Sequence, residues 1–276
     1  TDGEVLVEVK SVGICGSDIP RIYQNGAYRH PLIPGHEFSG VVANVKAAEK
    51  KVRTGQRVGV FPLIPCQKCP PCRTKQYEMC RNYSYLGSRR DGGFAEYVAV
   101  PGRNLIELPS DMAFEEAAML EPMAVAVHAM KRIGVSAGDK AAICGAGAIG
   151  LLLFLFLREA GVRNIYVFGN KDFQKRTLMK LGLKEEFYCD VRKGDRDKWL
   201  MERTDGVGVD VFFECAGRNE TLIQAVNQTS FGGKIMLVGN PFGDMRLEKS
   251  VYWKILRNQL TVKGTWNSSF TGEESD

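Results

Sequence analysis

Lys140-Ala-Ala-Ile-Cys144, then Gly145-Ala-Gly147-Ala148-Ile149-Gly150, then the apolar run to Leu157: this stretch decides the fold of the second half of the chain. Lys140 to Cys144 reads as a short buried strand, and Ile149 to Leu157, ended by Arg158, reads as a buried helix. Between them the glycines keep the G-x-G-x-x-G spacing. In a strand-to-helix turn, the first glycine reverses the chain and the second lets backbone approach a pyrophosphate. The third allows close helix packing, and the helix N-terminus offers free N–H groups. The stretch therefore predicts a dinucleotide held by Gly145, Gly147, Ala148, Ile149 and Gly150.

Working outward, the pattern after Gly138-Asp139 alternates strand and helix, which implies a doubly wound parallel sheet. The next strand, Asn164 to Phe168, ends on Gly169-Asn170-Lys171-Asp172. An Asp or Glu at the strand end would hold the adenosine ribose diol, and here that acid is missing. A small residue followed by amide and amine leaves room for a 2′-phosphate, with Lys171, Lys175 and Arg176 as counter-charges, so the loop leans toward NADP; Asp172 weakens that lean.

The first half reads as β. Glu4 to Lys10 alternates apolar and polar residues, and Phe38 to Val45, Gln56 to Phe61 and Phe94 to Val100 follow with Gly and Pro between them, which suggests a barrel. From Glu115 to Arg132 the spacing becomes helical. These readings divide the chain into residues 1–120, a β domain; 121–264, the dinucleotide domain, entered by the helix that starts at Glu121; and 265–276, the start of a further segment.

Cys66, Cys69, Cys72 and Cys80 form a C-x2-C-x2-C-x7-C array in a proline-rich loop. Two-residue spacers aim successive thiolates at one point, so the array predicts a closed, structural zinc site rather than a pair of disulfides. A second constellation precedes it: Cys15 and Ser17 in Cys15-Gly-Ser-Asp18, His36 and Glu37 in Gly35-His-Glu37, and Glu121 in Leu120-Glu-Pro122. Three or four Cys, His and Glu ligands with one exchangeable position suit a catalytic zinc, which polarises an alcohol oxygen and lowers its pKa.

Composition fits an ordinary cytoplasmic globular protein, with 44% apolar and 25% charged residues. The net charge of +5 comes from scattered Lys and Arg, the densest run being Lys50-Lys51-Val-Arg53, so no nucleic-acid partner is expected. No signal peptide is visible, and the longest apolar run is too short to span a bilayer. The chain opens on Thr1 rather than Met and stops on Glu-Glu-Ser-Asp276, so it reads as truncated at both ends.

Together Cys15-Gly-Ser-Asp18, Gly35-His-Glu37, the four-cysteine lobe, Gly92-Gly-Phe-Ala-Glu-Tyr97, Leu120-Glu-Pro122 and the glycine loop resemble, in order and spacing, the zinc-dependent medium-chain dehydrogenases. The likeness is closest to their polyol branch, in which sorbitol and galactitol-1-phosphate dehydrogenases stand. The resemblance implies a GroES-like barrel joined to a Rossmann domain, two zinc ions per chain, NAD as cofactor, a homodimer or homotetramer, and a polyol or polyol phosphate as substrate. By the same resemblance, the opening strand of the family and the segment that completes its barrel are expected to lie outside this sequence.

By the same resemblance Cys15, His36 and Glu37 hold the catalytic zinc. Glu121 either binds the metal or holds its water, Ser17 takes the alcohol proton, and Asp18 orients His36. Pro20 stands where horse-liver-type enzymes carry a relay histidine. Val238 and Gly239 fall beside the nicotinamide. For a substrate phosphate, Arg21, Arg89 and Arg90 are the candidate cations, and if Arg89 and Arg90 lie in a strand pair only one reaches the site. The expected reaction is reversible oxidation of galactitol 1-phosphate to a ketohexose phosphate. An unphosphorylated polyol such as sorbitol is the alternative, and an inactive zinc- and nucleotide-binding relative is the non-enzyme alternative.

Overall fold

The computed structural model describes residues 3–45 and 52–270, so Lys50 and Lys51 of the basic run lie outside the described residues. The chain packs as two compact units: one runs to Ala124 and takes up the chain again at Asn267, and the other is Val125–Trp266.

The first unit is built on β1 (Glu4–Gly13), α1 (Asp18–Tyr23), β2 (Glu37–Val45), β3 (Arg57–Val60), β4 (Leu63–Ile64), α2 (Pro70–Arg73), β5 (Ser84–Tyr85), β6 (Tyr97–Pro101), β7 (Leu105–Glu107) and α3 (Phe114–Ala118). Five of these strands form an antiparallel sheet in the order β6-β1-β2-β3-β7. Val5 and Val7 of β1 face the core while Leu6 and Glu8 face outward, the alternation that the sequence shows. Their partners inside are Phe38, Val42, Val58, Val60, Leu86, Val98 and Val100. The first four residues of β2, Glu37 to Gly40, are all buried, so this end of the strand carries its side chains into the interior on both faces. β4 and β5 pair with each other and close the base of the cysteine loop.

Two elements differ from expectation. Residues 94–96 are not strand, because Gly92, Gly93 and Phe94 donate their amides back to Ile33, Gly35 and Pro34 instead of to a sheet neighbour. The helical stretch from Glu115 is also two helices: α3 ends at Ala118 and α4 (Leu120–Ile133) starts afresh. Pro122 has no N–H to give to a preceding turn and is tolerated only in the first turn of a helix. That places Glu121 at the head of α4.

The second unit alternates strand and helix: β8 (Lys140–Cys144), α5 (Ala148–Glu159), β9 (Asn164–Gly169), α6 (Asp172–Lys180), β10 (Tyr188–Asp190), α7 (Arg196–Arg203), β11 (Val209–Glu214), α8 (Asn219–Gln228), β12 (Thr229–Leu237), α9 (Lys249–Arg257) and β13 (Thr261–Gly264). The strands form one parallel sheet in the order β10-β9-β8-β11-β12-β13. Chain direction across the sheet reverses between β8 and β11, the switch point where doubly wound sheets bind ligands. The architecture is thus the GroES-like and Rossmann pair expected from the sequence. Phe168, Phe212, Leu200 and Ile235 fill one face of this sheet, with Trp199 set edge-on to Phe168 at 5.5 Å.

Phe212 has no exposed surface and stacks on Phe168 at 6.3 Å. Phe212→Ala is expected to cost about 3–5 kcal/mol, read as a lowered urea midpoint of the second unit's transition.

Candidate active site

Gly13 ends β1 and pairs directly with Glu37 at the start of β2. Beyond β1 the chain turns through Cys15 into α1, and beside Glu37 stands His36. Ligand atoms of Cys15, His36 and Glu37 all lie within 4.8 Å of one another. The turn is held by Asp18, which has no exposed surface. Its carboxylate accepts from the Cys15 amide at 3.1 Å and from Arg21 at 2.7 Å, and faces His36 Nδ1 at 3.5 Å. Ser17 donates its hydroxyl to Cys15 Sγ at 3.4 Å.

Glu121 is outside this three-residue group. It is buried and accepts the Tyr85 hydroxyl at 2.9 Å, and the Tyr85 ring stands edge-on to His36 at 5.7 Å. The electrostatics couple them. Burial pulls the His36 imidazolium down, but Asp18, Cys15 and Glu121 outweigh it and raise its pKa to about 10. Burial, then Glu121, pushes Glu37 up to about 7, and burial raises Glu121 as well. A thiol, an imidazole and a carboxylate converge here among further buried acids, so the cluster favours an added cation and its donor set fits zinc.

In the lobe between β4 and β5, Cys66, Cys69, Cys72 and Cys80 bring their sulfurs within the same 4.8 Å limit. Cys69 Sγ is 3.4 Å from Cys72 Sγ and 3.8 Å from Cys80 Sγ. All four are free thiols. A tetrahedron with arms of about 2.3 Å has edges of roughly 3.8 Å, whereas a disulfide would need about 2 Å. The amide of Arg81 holds the Cys69 thiol down to about 6, and that of Lys68 lowers Cys66; burial pushes Cys72 up to about 12. Amides aimed at two of the sulfurs favour thiolate, the form that binds metal. Cys144, Cys189 and Cys215 lie elsewhere, in the second unit, and burial raises all three.

In the second unit the glycine loop joins β8 to α5. Gly145 has φ +109° and donates its amide to Phe168 O at 3.1 Å, which starts the turn. A Cβ on Gly147 would meet nothing within 4 Å, so that face is open, while one on Gly150 would lie 2.0 Å from Gly145 O. Ala148, Ile149 and Gly150 open α5 and present amides that have no partner within the helix. Across the switch point, Val238 and Gly239 donate to Glu214 O at 2.8 and 2.9 Å. The Glu214 carboxylate, itself buried, accepts from Ala216, Gly217 and Thr221 and fixes the turn after β11.

The loop after β9 is more crowded than the sequence suggests. A Cβ on Gly169 would meet the Tyr188 hydroxyl at 2.5 Å, so packing against β10 accounts for the glycine without reference to a cofactor. Asn170 and Lys171 are exposed, and the Lys171 ammonium lies 5.7 Å from the Phe173 ring. Lys175 is paired with Glu185. Arg192, not singled out in the sequence, bridges Asp172 and Asp190 and holds Asp190 down to about 2. The β9–β10 register, which sets Asp190 beside Gly169, is the signal that could have found it. Tyr85 and Gly13 were missed for the same kind of reason.

Residues 1–110 match the model of the alcohol dehydrogenase GroES-like domain, and residues 148–275 that of the zinc-binding dehydrogenase. Galactitol 1-phosphate 5-dehydrogenase of Escherichia coli K12 is 34% identical over 98% of this chain and 79% of its own length. Sorbitol dehydrogenase of Bacillus subtilis is 32% identical over 86% of this chain and 68% of its own. Among solved structures, a zinc-binding dehydrogenase from Sinorhizobium meliloti 1021, bound to NADP, superposes with TM-score 0.91 at 31% identity, covering 98% of this chain and 79% of that one. The chain belongs to the zinc-dependent medium-chain dehydrogenase family. It is therefore an oxidoreductase that acts on a small-molecule alcohol, and among the described residues no helix is long and apolar enough to cross a membrane.

A Cβ on Gly13 would stand 2.5 Å from Glu37 Oε2. Gly13→Ala should therefore displace the Glu37 carboxylate and lower zinc retained after dialysis, measured by atomic absorption, while far-UV circular dichroism stays unchanged.

Proposed function

We propose that this chain reversibly oxidises a secondary alcohol of a sugar-alcohol phosphate, galactitol 1-phosphate or a close analogue, to the ketose phosphate. The observation that carries the reading is the group formed by Cys15, His36 and Glu37 beside a buried Asp18 and Glu121. Zinc held there would act as a Lewis acid toward the alcohol oxygen. The residues do the rest. Asp18 faces Nδ1 of His36 and so leaves the other ring nitrogen to the ligand group. Ser17, beside Cys15, accepts the proton of the substrate hydroxyl. Pro20 offers no ring nitrogen to carry it further, so the proton leaves through water.

A nicotinamide cofactor bound to the second unit would supply the hydride acceptor, taking the carbinol hydrogen with its electron pair. Gly145, Gly147, Ala148, Ile149 and Gly150 would take the pyrophosphate on open backbone and a helix N-terminus, with Val238 and Gly239 toward the nicotinamide. Lys171 is exposed and makes no ion pair among the described residues, which supports acceptance of NADP. Arg192 is occupied by two carboxylates, and these temper the preference. The relative of Sinorhizobium meliloti bound to NADP supports the same view.

The sorbitol dehydrogenase relative favours a second reading, an unphosphorylated polyol. Steady-state kcat/KM for galactitol 1-phosphate, galactitol and sorbitol with both nicotinamide cofactors separates the two. Equal efficiency with and without phosphate would move the assignment to the second reading. Lys171→Ala is expected to weaken NADP roughly tenfold and leave NAD unchanged, and strict use of NAD by the unaltered protein would overturn the role of Lys171.

Metal analysis should find one zinc ion for each donor group, two per chain, the thiolate-bound ion resisting chelators and the other exchanging. Cys15→Ser should lose the exchangeable ion and turnover but keep the fold, whereas Cys69→Ser should unfold the lobe, seen as rapid proteolysis between residues 65 and 81.

A further inference from the structure

Three arginines are candidate cations for a substrate phosphate, and their surroundings differ. Arg21 is spent on the buried Asp18, and Arg90 is paired with Glu4. Arg89 has no carboxylate within ion-pair distance among the described residues. Its guanidinium lies 4.3 Å above the Tyr83 ring and 5.1 Å from the Tyr28 ring, with one N–H given to Tyr83 O at 3.2 Å. Aromatic faces hold an arginine in position without neutralising its charge or using up its donors. Three of the five N–H groups at least remain for a ligand.

Arg89 is also placed relative to the reacting centre. It does not lie in a strand pair: residues 87–89 are a turn, in which the Arg89 amide bonds to Tyr85 O at 2.9 Å. Tyr85 reaches Glu121 with its hydroxyl and His36 with its ring edge. Tyr83 stands between, 6.1 Å from Tyr85. The same loop is laced to the segment just ahead of His36, since Gly93 donates to Gly35 O at 2.8 Å and Phe94 to Pro34 O at 3.0 Å. Arg89 is therefore joined to the ligand group through two aromatic rings, Tyr83 and Tyr85.

We propose that Arg89, held between Tyr28 and Tyr83, is the residue that selects a phosphorylated substrate by gripping the phosphate at the end remote from the oxidised carbon. The inference rests on the polyol dehydrogenase reading above and names the specificity determinant of that site. Tyr28 and Tyr83 are positioning residues for the guanidinium. Arg90 is excluded from the role by its pairing with Glu4.

The test compares the zinc-loaded protein with Arg89→Leu and Arg90→Leu, using galactitol 1-phosphate and galactitol in two assays: turnover, and calorimetric titration without nicotinamide cofactor. Arg89→Leu is expected to lower the ratio of phosphorylated to free polyol, in both kcat/KM and affinity, by roughly ten- to a hundredfold, the worth of charge-assisted hydrogen bonds. The fall should lie in KM rather than kcat, and Arg90→Leu should keep the ratio. A phosphate preference that survives in Arg89→Leu, or an equal loss on both polyols, overturns the assignment of Arg89 alone. An unaltered protein with no phosphate preference overturns the phosphorylated-substrate reading and the assignment with it.

Discussion

A carboxylate with no exposed surface organises the first unit. Burying an ion without partners costs several kcal/mol, so Asp18 must be satisfied from several sides. It takes the amide of Cys15, the guanidinium of Arg21 and the edge of His36. Those demands define the turn between β1 and α1 and hold the ring of His36. Cys15 and His36, distant in sequence, face a common point because both answer to Asp18. Glu37 completes the group because Gly13 opposite it has no side chain.

The four-cysteine lobe is ordered by different means. A small apolar nucleus of Phe61, Leu63 and Tyr85 lies near its base, with Tyr77, Tyr83, Ile106 and Phe270 packed against it. Sulfurs a few ångströms apart, two of them approached by amide donors, supply the convergence that apolar side chains provide elsewhere in the chain. In the second unit the organising constraint is again steric: backbones meet at Gly145 and Gly150, where any side chain would strike main chain.

Much of this was legible in the sequence, for identifiable reasons. Spacing alone announced the cysteine lobe and the glycine loop, because thiolates and close backbone contacts each demand one residue type at fixed intervals. Strands β1, β2, β3 and β6 of the first sheet and β8 and β9 of the second followed from apolar patterning. What sequence did not show depends on register and turn geometry. Tyr85 meets Glu121 only through the folding of the cysteine loop, Arg192 meets Asp172 only through the pairing of β9 with β10, and Arg89 differs from Arg90 only through a turn that sets one against Tyr83 and the other against Glu4. The break before Leu120 was readable from Pro122 but hidden by continuous helical spacing.

Gly169 carries one more implication. Because the Tyr188 hydroxyl fills the space its side chain would occupy, an acidic residue at the end of β9 would have to push that hydroxyl aside. A smaller residue at position 188 would open that space, so the two positions are coupled. An acid at the end of β9 is then epistatic with position 188: the residue on one strand sets how readily its neighbour can change.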